Sequence, residues 1–270
     1  MDRNRLDAAL KRPAPDLGID PTWGCLRPRF DLHLYSQLPS TNSEAWRLVA
    51  AGAGSGTVVI AQEQTAGRGQ WGRPWTSAVG GLYLSLVLEL EVVLGDRALL
   101  TLATAWGITA ALNRLGLPIQ IKWPNDLISQ GRKVGGILTE TRRVNQRMPM
   151  AVVGVGLNWT NPVPETGQRL VELLPDSPPI ALQSLEDLAA IALRGMLQGY
   201  YCWQQQGIPT LLDQYHQYLV NRGQSVTVAG HPATIIGVSE TGHLQVQVFS
   251  PTGISIQALK PGEIQLGYNA

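Results

Sequence analysis

The chain has 270 residues, of which 44% are hydrophobic and 15% are charged, and its formal net charge is +1. This length and composition allow one large core and a small satellite domain. The charge provides no broad basic surface of the kind that nucleic-acid-binding proteins carry, so we expect no affinity for DNA. The first residues lack the apolar region of a signal peptide, and no stretch is long enough to span a membrane. We therefore expect a soluble, cytoplasmic protein.

The cysteines and histidines do not indicate a metal centre. Cys25 and Cys202 are far apart and match no metal-binding or redox spacing, which favours free thiols in a reducing compartment. The histidines are also scattered through the sequence, as His33, His216, His231 and His243. We therefore expect no histidine-based metal site.

The N-terminal part of the chain predicts an irregular segment followed by a strand and a helix. Residues 1–29 contain four prolines among charged and small residues, which predicts an irregular lead-in. Alternating apolar residues over 30–35 predict a strand. Thr41 and Glu44 have the spacing of a capping box, which predicts a helix over 42–51. The polar residues before this helix could do no more than start it.

A glycine-rich loop at residues 62–75 is the most distinctive stretch of the sequence. It contains three glycines, two arginines and two tryptophans. Glycines let the backbone turn through positive φ and approach a ligand, while Arg68 and Arg73 can donate charge-assisted hydrogen bonds to phosphate or carboxylate oxygens. The loop therefore indicates an anion site, although a wide hairpin that uses glycine only for its turns has the same composition.

The same loop contains the spacing Gly67-x-Gly69-x-x-Gly72, which matches the dinucleotide-binding pattern. That pattern requires a strand before the loop and a helix after it. The apolar run 57–61 provides the strand, but residues 81–89 have the pattern of a second strand instead of a helix. The sequence therefore argues against a Rossmann-type site and predicts a loop between two strands.

The middle of the chain predicts a buried helix and then a polar turn. Residues 97–115 have the apolar pattern of a helix buried against a sheet, with Asp96 as its cap. A short strand then leads into the turn at 122–126, with the sequence Lys-Trp-Pro-Asn-Asp. Because proline cannot lie in a central ladder, Asn125 and Asp126 are expected at the end of the strand, where ligand sites are often built.

Two further strands with internal glycines follow. Residues 132–140 contain adjacent glycines, which suggest the close approach of a ligand or another backbone beside Lys133. Residues 150–159 form the second of these strands, and Asn158 lies near its end. The polar, proline-rich stretch that continues to residue 180 predicts a long surface loop, which is either a functional lid or a passive excursion.

The C-terminal part changes from helices to short strands. Helical patterns cover 184–206 and 208–219. Short alternating runs begin at about residue 221, which places a domain boundary near 220. They predict a small barrel with strands at 225–228, 233–238, 244–249, 254–259 and 263–266.

Four of these stretches together resemble the biotin protein ligases. The stretches are Ser40-Thr41-Asn42, the loop from Gln64 to Trp75, the turn at 122–126 with the strand at 132–140, and Gly154-x-Gly156-Leu157-Asn158. Residues 261–264 are similar to part of the family's small SH3-like domain. The resemblance implies an α+β fold in which a mixed sheet is flanked by helices, akin to the catalytic core of class II aminoacyl-tRNA synthetases. The implied organisation is a lead-in at 1–29, a catalytic domain at 30–220 and an SH3-like barrel at 221–270.

The resemblance also implies a ligase with two half-reactions. Biotin attacks the α-phosphate of Mg-ATP to give biotinyl-5'-AMP, and a lysine of a biotin carboxyl carrier domain of acetyl-CoA carboxylase then receives the biotinyl group. The implied ligands are biotin, ATP and Mg²⁺, without nucleic acid or membrane. An exposed sheet edge could support a homodimer. The winged helix of the bifunctional members is missing from this sequence, so a repressor role is not expected.

Site residues follow from the resemblance position by position. The biotin-binding residues implied are Ser40, Thr41, Asn42, Gln64, Arg68, Gly69, Gln70, Lys133, Gly135 and Gly136. Those implied for ATP are Arg68, Gln70, Arg73, Trp75, Asn125, Lys133 and Asn158. Lys133 and Arg68 are the expected catalytic cations, because an anion that attacks a phosphate needs fixed positive charge. Asp126 is the candidate for a carboxylate that binds magnesium or orients the lysine.

One departure and two alternatives accompany this interpretation. Many family members carry arginine where this chain has Gln70, so we hypothesise that the adenylate is held less tightly here. Lipoate ligases share the fold and the two-step chemistry, but their arginine-rich, triple-glycine signature is absent from the sequence. The other alternative is a biotin-sensing protein that forms the adenylate without transferring it.

Overall fold

The computed structural model describes residues 1–24, 28–90, 97–143, 149–175, 182–264 and 266–267. The helices are α1 (Arg3–Leu10), α2 (Thr41–Ala50), α3 (Arg97–Arg114) and α4 (Leu185–His216). The first seven strands are β1 (Asp31–Leu38), β2 (Thr57–Gln64), β3 (Leu82–Glu89), β4 (Gln120–Lys122), β5 (Asp126–Ser129), β6 (Arg132–Arg143) and β7 (Pro149–Leu157). The last four are β8 (Ser225–Val228), β9 (His231–Val238), β10 (Leu244–Ser250) and β11 (Gly253–Leu259).

A seven-stranded sheet forms the centre of the fold, with the order β1-β2-β3-β7-β6-β5-β4. β1 and β2 are parallel, and the other neighbouring strands are antiparallel. Alternate residues of β2 point to opposite faces. Val58 and Ile60 join the core that contains α3 and α4, whereas Val59 packs in the core that contains α2. The prediction of an α+β fold with a mixed sheet flanked by helices is confirmed.

α3 and α4 pack directly against each other on one face of this sheet. Residues 99–112 of α3 are all buried, as the apolar pattern predicts. A Cβ atom on Gly107 would lie 2.0 Å from the carbonyl oxygen of Gly195, so the two helices meet at backbone distance. α4 breaks at Gly207, which has a φ of 83°. This break agrees with the prediction of two helices, although the second ends at His216 instead of near residue 219.

The prediction of an irregular N-terminal lead-in is wrong for the described residues 1–24. α1 begins after Asp2, whose carboxylate accepts a hydrogen bond from the Arg5 amide. Two 3₁₀ helices follow at Pro15–Leu17 and Pro21–Trp23. Pro15 and Pro21 each occupy the first position of their helix, where a missing N–H group costs no hydrogen bond. The segment also contributes six buried side chains to the main core, from Leu6, Ala9, Ala14, Leu17, Ile19 and Trp23.

The structure confirms α2 but not its predicted capping box. Ser40 is the N-cap residue, and its side chain makes no cap hydrogen bond. Thr41 lies inside the helix, where its hydroxyl contacts Gln64 Oε1 at 3.2 Å. The Glu44 carboxylate accepts hydrogen bonds from Tyr35 and Arg47. The polar side chains at this helix start therefore contact neighbouring segments instead of the first helical amides.

The four C-terminal strands form a second, antiparallel sheet in the order β11-β10-β9-β8. Four of the five predicted strands are thus confirmed. The fifth is wrong for Glu263 and Ile264, which lie in a bend, while Gln265 is outside the described residues. In the sheet as described, β8 and β11 are the two edges. One face of this sheet joins the main core through Ala233, Ile235, Val238, Leu244, Val246 and Val248.

Some expectations concern residues outside the described ranges, namely the cap Asp96 and the thiol of Cys25. Cys202 is a buried free cysteine, and burial raises the pKa of its thiol to about 11. Of the helices in the described ranges, none combines the length and hydropathy needed to cross a bilayer.

Candidate active site

One cavity of about 900 Å³ brings most of the predicted site residues together. It lies beside the large sheet, near the C-terminal ends of β2 and β7 and the N-terminal ends of β5 and β6. The predicted residues that line it are Ser40, Thr41, Asn42, Gln64, Arg68, Gly69, Gln70, Arg73, Trp75, Asn125, Asp126, Lys133, Gly136 and Asn158. Segments that are far apart in the sequence therefore form one site.

Gly135 is the predicted site residue that is not part of the cavity lining. A Cβ atom there would lie 2.5 Å from Leu157 Cδ2 and 2.6 Å from the Gly156 carbonyl oxygen. Gly136 is on the cavity side, since its Cβ would lie 3.6 Å from Asp126 Oδ1. The two glycines thus face different surroundings, because successive residues of a strand point to opposite sides. Gly135 allows close strand packing, and only Gly136 contacts the cavity.

The floor of the cavity is formed by Thr41, Asn42 and Gln64, which belong to a network of neutral polar groups that continues below it. The Thr41 amide donates to Gln64 Oε1 at 2.8 Å, and Gln64 Nε2 donates to Ser77 Oγ at 2.8 Å. Ser85 Oγ lies 2.8 Å from Thr41 Oγ1 and 2.7 Å from Asn42 Oδ1. Buried polar groups are costly unless paired, so this network fixes the side chains in place. Such a floor suits a ligand with neutral donors and acceptors.

Sequence reasoning missed Ser77 and Ser85. Ser85 lies between apolar residues of β3 and is fully buried, with 0% exposure. A single hydroxyl inside an otherwise apolar strand is the signal that could have identified it, since a buried hydroxyl requires a partner. The strand's apolar pattern predicted the element correctly but drew attention away from this position.

The glycine-rich loop closes on itself above the floor. The Gly69 amide donates to the Arg73 carbonyl at 2.7 Å, and the Trp75 amide donates to the Gly67 carbonyl at 2.9 Å. A Cβ atom on Gly67 would lie 2.4 Å from the Trp75 carbonyl oxygen. Gly67 is therefore explained by the turn itself, as the hairpin alternative requires. The loop also directs Arg68 and Arg73 to the cavity, as the anion-site alternative requires.

Lys133 is held by two contacts on the cavity wall. Its Nζ atom lies 2.5 Å from Asp126 Oδ1 and 5.1 Å from the centre of the Trp75 ring. Both contacts hold the ammonium group, because a carboxylate and the face of an aromatic ring attract cations. The lysine is therefore positioned by its surroundings and remains at the cavity surface.

Lys122 is a further cavity lysine to which sequence reasoning gave no role. The residue is buried, with 7% exposure, and lines the cavity. Burial lowers the pKa of its ammonium, attraction by Asp126 opposes this shift, and repulsion by Lys133 and Arg73 adds to it. Lys122, Lys133 and Arg73 all line this cavity. This end of the cavity therefore suits an anionic ligand.

Asn125 and Asn158 organise the wall through their amide groups. Asn125 Nδ2 donates to the Ile137 carbonyl at 3.0 Å. Asn158 Nδ2 donates to the Lys133 carbonyl at 3.1 Å, and Asn158 Oδ1 accepts from Asn161 Nδ2 at 3.2 Å. Both side chains thereby tie strand ends to the segments beside them.

The glycines near the end of β7 provide space for two predicted site residues. A Cβ atom on Gly154 would lie 2.2 Å from Asn42 Oδ1, and one on Gly156 would lie 2.5 Å from Trp75 Nε1. Trp75 Nε1 is buried and has no hydrogen-bond partner among the described residues. The glycine spacing therefore serves the close approach of two side chains.

Two chain segments complete the wall. The long loop after β7 contributes Pro162, Val163, Pro164, Thr166 and Gly167. It is joined to β6 by the Lys133 amide, which donates to the Thr166 carbonyl at 2.8 Å. The segment after β11 contributes Pro261, Gly262, Ile264, Leu266 and Gly267. Sequence reasoning left the loop open between two roles and did not place the second segment at the site.

The described residues contain no group of three or more His, Cys, Asp or Glu side chains that could hold a metal ion. At the position predicted for magnesium, Asp126 forms its ion pair with Lys133. The cavity therefore provides one carboxylate and not a complete set of protein ligands.

Comparison with known proteins agrees with this geometry. Residues 34–158 match the family model described as the Biotin/lipoate A/B protein ligase family. The chain is similar to the bifunctional ligase/repressor BirA of Bacillus subtilis, with 38% identity over 123 residues, which is 45% of this chain and 38% of that protein. It is also similar to the biotin--[acetyl-CoA-carboxylase] ligase of Mycobacterium tuberculosis, with 35% identity over 172 residues, or 59% of this chain and 63% of that protein.

The fold resembles a solved structure of biotin protein ligase from Aquifex aeolicus in complex with biotin and ATP. The two share 22% identity with a TM-score of 0.64, over 84% of this chain and 95% of that chain. The matches to the two curated relatives span less than two thirds of those proteins' own length. Because the family model matches residues 34–158, this part of the chain is a domain of the biotin/lipoate A/B protein ligase family.

Proposed function

We propose that this protein is a biotin protein ligase. It activates biotin with ATP to biotinyl-5'-AMP and transfers the biotinyl group to a lysine of a biotin carboxyl carrier domain of acetyl-CoA carboxylase. The observation that carries this proposal is the division of one cavity into a neutral polar floor and a cationic wall. Biotin has a neutral ureido ring at one end and a carboxylate at the other, so it matches both parts. The names of the two curated relatives support the same activity.

The floor binds the ureido ring in this proposal. Thr41 and Gln64 present hydroxyl and amide groups to the cavity, and Ser85 holds Thr41 in place through its hydroxyl. Leaving a buried polar group unpaired costs about 1 to 3 kcal/mol, so a polar ring that binds here must pair its own donors and acceptors with the floor. The other residues assigned to biotin are Ser40, Asn42, Gly69, Gln70 and Gly136, all of which line the same cavity.

The cationic wall acts in the activation step. A carboxylate oxygen of biotin forms a bond to the α-phosphorus of ATP, and the bond from that phosphorus to the pyrophosphate oxygen breaks. Lys133 and Arg68 offset the repulsion between the two anions and stabilise the charge that develops on the phosphoryl oxygens. Asp126 keeps the Lys133 ammonium in position through their ion pair.

ATP occupies the remaining part of the cavity. Arg73 and Gln70 come from the loop, Trp75 lies beside Lys133, and Asn125 and Asn158 form the wall. Mg²⁺ is commonly bound by one or two carboxylates together with substrate phosphates and water. The single Asp126 carboxylate fits such partial coordination, in which Mg²⁺ neutralises phosphate charge when it binds with the nucleotide.

The transfer step requires a mixed anhydride protected from water. The carrier lysine amine attacks the acyl carbon, the bond to the AMP oxygen breaks, and the amine loses a proton. The glycine-rich loop, the segment at 162–167 and residues 261–264 and 266–267 surround the cavity and restrict water. Glycines at positions 67, 69 and 72 let this loop adjust when ligands bind.

Several finer expectations belong to the same proposal. We assign residues 30–220 to the catalytic domain, with a core like that of class II aminoacyl-tRNA synthetases, and residues 221–270 to an SH3-like domain. The antiparallel order of β8 to β11 supports the second assignment. Homodimer formation, the absence of nucleic-acid binding and a cytoplasmic location stay predictions from the sequence.

Mass spectrometry of a biotin carboxyl carrier fragment tests the proposal. The fragment is incubated with the protein, biotin and Mg-ATP, and a gain of one biotinyl group is expected. Adenylate without transfer would indicate the biotin-sensing alternative. Modification only when lipoate replaces biotin would indicate a lipoate ligase. A carrier fragment whose acceptor lysine is replaced by arginine provides the control.

A further inference from the structure

Glu140 joins three segments of the cavity wall. Its Oε2 atom accepts hydrogen bonds from Asn42 Nδ2 at 2.9 Å and from Trp46 Nε1 at 3.1 Å, both on α2. Its Oε1 atom lies 3.4 Å from a guanidinium nitrogen of Arg68 in the glycine-rich loop. The carboxylate of this β6 residue therefore connects α2 with the loop.

The contacts on α2 fix the carboxylate before a ligand binds. Asn42 and Trp46 are both buried, and Asn42 is itself held by Ser85. The Glu140 side chain is 23% exposed, whereas the Arg68 side chain is 43% exposed. Glu140 is thus the fixed member of the ion pair, and Arg68 is the member that extends toward solvent and ligand.

The contacts on α2 alone do not require a negative charge. A neutral amide oxygen can also accept hydrogen bonds from Asn42 and Trp46. Two arginines contact this group of side chains. Arg142 stacks on the Trp46 ring, with its guanidinium carbon 4.4 Å from the ring centre, whereas Arg68 forms the ion pair with Glu140. The negative charge of Glu140 therefore acts on Arg68 of the glycine-rich loop.

We propose that Glu140 is a positioning residue that holds Arg68 in the orientation in which it binds the ligand's carboxylate and then the adenylate phosphate. This inference rests on the proposed function. A free arginine side chain has many rotamers, and ordering it beforehand reduces the entropy lost on binding. The Ser43 hydroxyl, 3.3 Å from an Arg68 guanidinium nitrogen, adds a second support.

Calorimetric binding of biotin and of neutral biotin amide tests the inference. Glu140→Gln keeps an acceptor for Asn42 and Trp46 but removes the charge that faces Arg68. We expect this variant to bind biotin about fivefold more weakly, on the scale of a partly exposed ion pair. Binding of biotin amide should not change, because that ligand has no carboxylate for Arg68. The matched control, Arg142→Gln, removes the neighbouring cation and should change neither affinity.

A double-mutant cycle separates this positioning role from simple structural support. In an Arg68→Gln background, Glu140→Gln should have no further effect on biotin binding. Two results would overturn the inference and assign Glu140 to the support of α2. One is that Glu140→Gln weakens the binding of biotin and of biotin amide equally, and the other is that it weakens biotin binding as much in the Arg68→Gln background as in the natural protein. Unchanged or tighter biotin binding in Glu140→Gln would also overturn it. If the natural protein binds neither ligand, the proposed function fails, and this inference fails with it.

Discussion

The ammonium of Lys133 lies 2.5 Å from the carboxylate of Asp126, and the two groups project into the same cavity. The pair places a positive charge at a fixed point while leaving the lysine 24% exposed to an incoming ligand. A cation held in this way needs little reorganisation when negative charge develops on a nearby phosphate. The ion pair is therefore suited to electrostatic catalysis as well as to ligand binding.

Lys133→Met should slow adenylate formation about 100-fold to 1,000-fold, since that is the usual cost of losing one such donor. The rate of pyrophosphate exchange into ATP, measured with biotin present, checks this expectation. Lys11→Met removes an exposed lysine at the C-cap of α1 and serves as the control. An exchange rate within a factor of about three of the natural protein's would show that Lys133 is not the catalytic cation.

The two glycines of β7 should have separable functions. Gly156→Ala places a Cβ atom against Trp75, and Gly154→Ala places one against Asn42. Overpacking costs about 1 to 3 kcal/mol, and here it acts on a residue that lines the cavity. Each substitution should therefore weaken the binding of one ligand by roughly tenfold. We expect Gly156→Ala to weaken ATP binding and Gly154→Ala to weaken biotin binding. Calorimetry with each ligand compares the two variants, and the same loss for both ligands in both variants would contradict separate functions.

Local patterns in the sequence predicted the elements of the site well. The strands on both sides of the glycine-rich loop and the turn before β5 lie where hydrophobic periodicity and glycine or proline placed them. α2 begins one residue before its predicted start, although the capping box that predicted it does not form. These features depend on residues that are close in sequence. The family resemblance added which of these segments form one site, and all but Gly135 of the residues it named line the cavity.

The features that were missed depend on contacts between distant segments. Residues 261–264 and 266–267 reach the cavity because the small sheet packs against the large domain, as when Trp123 Nε1 donates to the Gly242 carbonyl at 3.0 Å. Glu140 gains its contacts from residues almost a hundred positions earlier. α1 was missed because it is short and because the prolines after it suggested irregular structure. No local pattern specifies such tertiary contacts.

Gln70 should determine how long the adenylate is retained. The residue lines the cavity in the loop, where an arginine could donate a charge-assisted hydrogen bond to phosphate. Such a bond contributes about 1.5 to 3 kcal/mol, so Gln70→Arg should slow release of biotinyl-5'-AMP roughly tenfold to 100-fold. Thr65→Arg adds the same charge to an exposed position outside the cavity lining and is the matched control. Release from the natural protein that is as slow as from Gln70→Arg would refute the hypothesis.

His216 should make the contact between α4 and the small sheet sensitive to pH. Its Nε2 atom accepts a hydrogen bond from the Val238 amide at 2.8 Å, which a protonated ring nitrogen cannot do. Burial lowers the pKa of His216, repulsion by Arg222 adds to this shift, and attraction by Asp213 opposes it. The folded state therefore takes up the proton at a lower pH than the unfolded state.

The sign of the pH dependence follows from this difference in proton binding. The stabilisation is fully present above the ordinary histidine pKa of about 6.5 and is lost as the pH falls toward the lower pKa of the folded state. His216→Gln keeps an acceptor for the Val238 amide but does not titrate, so its melting temperature should fall less than that of the natural protein between about pH 7.5 and pH 5. His231→Gln replaces a different histidine, which lies on β9, and controls for the loss of a histidine. Parallel melting curves for the natural protein and His216→Gln across this range would rule out His216 as the titrating group.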